Sequence, residues 1–249
     1  MADRRAEGAP APTAIDRTHY PDVAVAGGLV PALRQAASRQ GIDIGPLVAG
    51  DGRGALIRAK AVTQRGVFLV SADSTEERMF DITIWAPGVH LGTGGSGDLD
   101  AVAVAVHDWN SGRSVGEMSG AWPFIEFDRL AEAHLEGHAV ATAWKLMRER
   151  DPGVRLADPE LTEAAYAEPR LRQLFPFPSH GWLHFSRATR DPFTNDLPMI
   201  GPLEHGWRVY APDASTLGDV RTAAEAAALA AAHLPDGCGP AFEGRLPQE

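Results

Sequence analysis

The chain passes through one pattern twice, and this repetition restricts its fold more than any single motif. Each pass reads helix, short strand-like stretches, a Gly-Asp pair and a closing helix. In the first, residues 20–40 carry Val23, Leu29, Val30, Leu33, Ala36 and Ala37 at helical spacing, and Gly41 ends them. Strands are predicted at 55–62, 66–72 and 79–85. In the last of these, Phe80, Ile82 and Ile84 alternate with Asp81, Thr83 and Trp85. Residues 89–92 begin a short fourth strand. Residues 92–97 are glycine-rich without a P-loop lysine or GxGxxG spacing, and read as a flexible loop.

The second pass opens at Asp158-Pro159-Glu160, a capped helix start, and runs through Leu161, Ala165, Leu171 and Leu174 past an interruption at Pro169. Strands follow at 181–189, 197–201 and 206–211. Gly218-Asp219 echoes Gly97-Asp98, and the Thr222/Glu225 capping box opens an Ala-rich helix. The expected fold is α+β: two tandem α-β-β-β-α units, each an antiparallel sheet covered by helices. The expected boundaries are a disordered leader over 1–19, a first unit over 20–126 and a connecting helix within 127–157. A second unit over 158–240 and a tail over 241–249 complete them.

A net charge of −10 with no Lys/Arg run argues against nucleic acid. No apolar run is long enough to span a bilayer, and the N-terminal residues lack the apolar core of a signal peptide. The single cysteine, Cys238, excludes an internal disulfide. A cytoplasmic protein is expected.

The chemistry concentrates between Gly97 and Met118. Asp98 is a natural N-cap for a helix bearing Leu99, Val102, Ala103, Val106 and Trp109. A helix this apolar is covered, so His107 stands at a core boundary. Gly112 ends it, and Ser114 with Glu117 fits a capping box. Two readings stay open. Glu117 and His107 are either a cap and a packed histidine bonded to a carbonyl, or an acid/base pair facing one pocket. Trp109 and His90 are candidates to hold a flat aromatic substrate. Arg187 joins them: in the alternating stretch from Trp182 to Arg190, either Arg187 or Arg190 faces a covered side. A covered guanidinium needs a carboxylate partner or an anionic ligand. His134 and His138 share the i, i+4 spacing of metal helices, but Gly137 and the lack of a third ligand favour a solvated helix face.

Several stretches then resemble a known family. They include Tyr20-Pro21-Asp22, Trp85-Ala-Pro-Gly-Val89, His107-Asp-Trp109, Gly116-Glu117, Pro123-Phe124, Leu183-His-Phe185-Ser186 and Thr222-Ala-Ala-Glu225. In this order, across residues 20–240, they resemble actinobacterial natural-product biosynthesis proteins of the domain of unknown function 6193. The chain is also similar to small bacterial Pictet–Spengler cyclases, homodimers that join tryptophan to an aldehyde. That resemblance implies Glu117 as acid/base and His107 as its assistant, with a small-molecule substrate and no metal or organic cofactor. The family's arginine has no match, since the loop before Asp98 holds glycine. Three functions follow: a cofactor-independent cyclase, a non-catalytic accessory or binding module, and an interaction protein of the immunity or chaperone kind.

Overall fold

The computed structural model describes residues 13–74 and 76–246. Residues 1–12 of the expected leader and 247–249 of the expected tail lie outside that range. Within residues 13–20, the Thr13 N–H donates to the Arg53 carbonyl at 2.8 Å and the Tyr20 N–H to that of Asp16 at 2.9 Å. The chain forms two compact units. One contains the residues up to Ala86 with His90–Phe127, and the other Pro87–Val89 with the residues from Asp128 onward. The architecture is α+β, with one antiparallel sheet in each unit.

The first unit begins with α1 (Pro21–Ala26) and α2 (Leu29–Gln40). Gly27 and Gly28, at φ 82° and 143°, break the single helix expected over 20–40. The strands β1 (Leu47–Ala49), β2 (Arg58–Thr63), β3 (Gly66–Ser71), β4 (Phe80–Ala86), β5 (Val89–Ser96) and β6 (Ile125–Phe127) lie in sequential order. Between β5 and β6 come α3 (Leu99–Asn110) and α4 (Val115–Ala121). Phe68, Val70, Ile82, Ile84 and Leu91 are buried on one side of the sheet, with α2 and α3 packed together beside it.

The expected glycine loop at 92–97 is instead mostly strand. A Cβ on Gly94 would stand 2.2 Å from the Phe124 carbonyl oxygen, and one on Gly92 2.7 Å from that of Glu126. Glycine is there because β6 approaches too closely for any side chain.

The second unit starts with α5 (Ala131–Glu136) and α6 (Ala139–Arg148). The connecting helix expected within 127–157 is thus two helices, parted where Gly137 turns left-handed at φ 80°. Next come α7 (Pro159–Ala167) and α8 (Pro169–Arg172), divided at Pro169. The second sheet is a meander of β7 (Phe175–Ser179), β8 (Trp182–Ser186), β9 (Met199–Leu203), β10 (Gly206–Tyr210) and β11 (Thr216–Val220). The helix α9 (Ala223–Ala232) follows, and its buried face joins Leu161 and Ala165 of α7 over Leu183, Phe185, Ile200 and Val209. The Gly218-Asp219 echo has no structural counterpart. Asp98 caps α3, whereas Asp219 sits in β11 paired with Arg208. Both units nonetheless run helices, meander, helix, consistent with duplication.

Strand β7 falls outside the sequence reading because Pro176 and Pro178 argue against a strand. It is tolerated because β7 is an edge. Its register pairs Phe175 with Ser186, Phe177 with His184 and Ser179 with Trp182. Prolines have no N–H to give, so Phe175, Phe177 and Ser179 supply the bonds to β8. The carbonyls of Pro176 and Pro178 therefore point to the open edge, which carries no donors at those positions and cannot be extended by ordinary strand pairing. No helix among the described residues is long and apolar enough to cross a membrane.

Candidate functional site

The residues singled out between Gly97 and Met118 are all committed locally. Asp98 caps α3, its carboxylate accepting from the N–H groups of Asp100 and Ala101 at 2.9 and 3.2 Å. His107 is half-buried and donates from Nδ1 to the Asp43 carbonyl at 2.6 Å. Glu117 is exposed and completes the capping box of α4. The Ser114 N–H and hydroxyl donate to its Oε2 at 3.0 and 2.9 Å. These bonds favour the charged form and hold the Glu117 carboxyl below its ordinary range. A catalytic acid needs the opposite shift. Among the described residues, no hydrogen bond joins His107 to Glu117.

Trp109, expected as a substrate platform, is 0% exposed. Its ring packs near Phe68 and under the Arg65 guanidinium, 4.3 Å from the ring centroid. It is a core residue with no face open to a ligand, because it lies on the covered side of α3. His90 meets Trp85 edge-on, with centroids 4.8 Å apart. Arg187 forms an ion pair with Asp196, and Arg190 donates to the His134 carbonyl. His134 and His138 do not share a helix face: His134 is 6% exposed in α5, while His138 precedes α6 beyond the Gly137 break.

What the second unit does assemble is a cleft of about 490 Å³. Its walls come from five segments. Leu130 precedes α5, Ala143 and Met147 lie on α6, Val154 and Arg155 follow α6, and Phe175–Ser179 is the β7 edge; Phe193, from the β8–β9 loop, closes the set. The Trp144 indole N–H donates to the Leu174 carbonyl at 3.1 Å, fixing α6 beside the start of β7. Phe193 lies nearly parallel to Phe175 and Phe177, at 5.7 and 4.7 Å between centroids. Phe177 in turn lies on His184 at 5.1 Å. Burial and the neighbouring His180 push the His184 imidazole down, so it serves as a neutral ring near pH 7. Phe193 remains 38% exposed. Among the described residues, the one cation lining the cleft is Arg155.

Sequence reasoning missed this site. Its one local signal is the run Phe175-Pro-Phe177-Pro, which alternates large aromatics with residues confined to edge strands.

Fold and site together define a two-unit α+β protein with an aromatic cleft in its second unit. Residues 138–245 match a family described as one of unknown function (DUF6193), a stretch holding α6, the whole second sheet and α9. Of the resemblance read across 20–240, the likeness to the domain of unknown function 6193 is found, over residues 138–245, and every cleft residue except Leu130 lies within the match. No curated protein and no solved structure matches the chain.

Proposed function

We propose that this chain is a non-catalytic binding protein for a small aromatic molecule, held in the cleft between α6 and β7. The natural-product setting that the resemblance implies is the proposed context, with the ligand an intermediate or product of such chemistry. One observation carries the reading: Phe193, stacked against Phe175 and Phe177, stays 38% exposed inside a mostly apolar cleft. Its volume suits a molecule of two or three rings. Packing on Phe193 supplies affinity without any reactive group.

The cyclase alternative asks for a carboxylate at Glu117 free to exchange a proton, and Ser114 occupies that carboxylate. A cleft built by one chain also needs no homodimer. The test is a fluorescence titration of the full chain with 1-anilinonaphthalene-8-sulfonate, for wild type and Phe193→Ala. Saturable binding weakened about fivefold or more by the substitution supports the reading. Binding that ignores it places the dye elsewhere and removes the reading.

A further inference from the structure

Three features of the cleft, other than its size, restrict what can occupy it. The first is Phe193, which lies stacked against Phe175 and Phe177 at interplanar angles of 22° and 19° and keeps 38% of its surface exposed for contact with another planar ring. The second is the β7 edge. Pro176 and Pro178 line the cleft with carbonyls that point away from β8, and no backbone donor outside the sheet reaches either among the described residues. The edge can accept hydrogen bonds there and cannot donate them. The third is Arg155, which no ion pair engages among the described residues. Asp151, four residues earlier, pairs with Arg129 at 3.4 Å and accepts from the Gly153 N–H at 2.7 Å. Arg155 is exposed and, among the described residues, is the one cation lining the cleft.

We infer that the cleft selects a flat aromatic acid carrying an N–H or O–H donor. Its ring packs on the exposed surface of Phe193, its carboxylate meets Arg155, and its donor meets the carbonyls of Pro176 or Pro178. The inference rests on reading this cleft as a small-molecule site, and it excludes two other occupants. An extended peptide adding to the β7 edge finds no N–H partners at the prolines, and a cationic aromatic faces Arg155 without compensation.

The test is calorimetric titration of the full chain with naphthalene, 2-naphthol, 2-naphthoate and the 3-, 6- and 7-hydroxy isomers of 2-naphthoate. One hydroxynaphthoate should bind tightest. Loss of the carboxylate should weaken binding by about fivefold at low salt, and loss of the hydroxyl by about threefold. Arg155→Gln should erase the carboxylate advantage and leave 2-naphthol binding unchanged. The inference fails if acid and hydroxyl make no difference, or if the acid advantage survives Arg155→Gln. Failure of the underlying site is distinct: none of the six compounds binds, or Phe193→Ala leaves all of them unaffected.

Discussion

Phe193 lies on Phe177 with centroids 4.7 Å apart and 19° between the ring planes. One ring belongs to an edge strand and the other to the loop between β8 and β9, sixteen residues later. The contact joins two segments that have no backbone pairing with each other, and it builds the wall of the cleft. Because Phe193 remains partly exposed, its removal tests the cleft without emptying the core. Phe193→Ala should cost about 1 kcal/mol of stability, read from the urea midpoint. Phe177→Ala should cost more, because Phe177 also stacks on His184 and packs beside α6.

Ser114 and Glu117 predict a structural phenotype. Ser114→Ala should destabilise the first unit by about 1 kcal/mol, measured by denaturant unfolding, through loss of the α4 cap. The held-down Glu117 carboxyl favours the folded state above its ordinary value of 4.5. That contribution should fade as pH falls through the still lower folded value. Glu117→Gln should remove this acid dependence. Mixtures of L-tryptophan and an aldehyde, followed by mass spectrometry, should show no condensation product with either wild type or the variant.

His134 makes the second unit acid-sensitive in a different window. Burial pushes its imidazole from 6.5 down to about 4, with Arg190 acting in the same direction. Between those values the unfolded chain binds the proton and the folded chain does not. Stability is therefore full above pH 6.5 and should fall by up to about 3 kcal/mol as the pH drops toward 4. His134→Leu should flatten the dependence of the urea midpoint across that interval.

Gly94 tests the close approach of β5 and β6. Gly94→Ala should cost more than about 2 kcal/mol in thermal or urea unfolding, since the added Cβ meets the Phe124 carbonyl at 2.2 Å. Gly112→Ala, where nothing lies within 4 Å but φ is 83°, should cost only about 1 kcal/mol.

The fold is legible in the sequence where local rules and tertiary demands agree. Alternation from Phe80 to Trp85 marks β4, and the capping residues Asp98, Ser114, Asp158 and Thr222 each start the helix their spacing predicts. Legibility fails where a distant backbone decides. Gly92 and Gly94 look like a loop until β6 is laid against them. Pro176 and Pro178 look like strand breakers until β7 is known to be an edge. The cleft is harder still. Leu130, Met147, Phe177 and Phe193 come from separate segments, and no spacing rule joins them. His107 and Glu117 are close in sequence and draw attention for that reason, yet each satisfies a neighbouring backbone group.

The most direct test compares the two candidate centres in one experiment. The tightest hydroxynaphthoate would be titrated calorimetrically into wild type, Phe193→Ala, Arg155→Gln, His107→Gln and Glu117→Gln. Weakening of about fivefold in the first two variants, with the last two equal to wild type, is the expected pattern. Binding that survives in Phe193→Ala and Arg155→Gln but is lost in His107→Gln or Glu117→Gln would contradict it, and would return the site to the first unit.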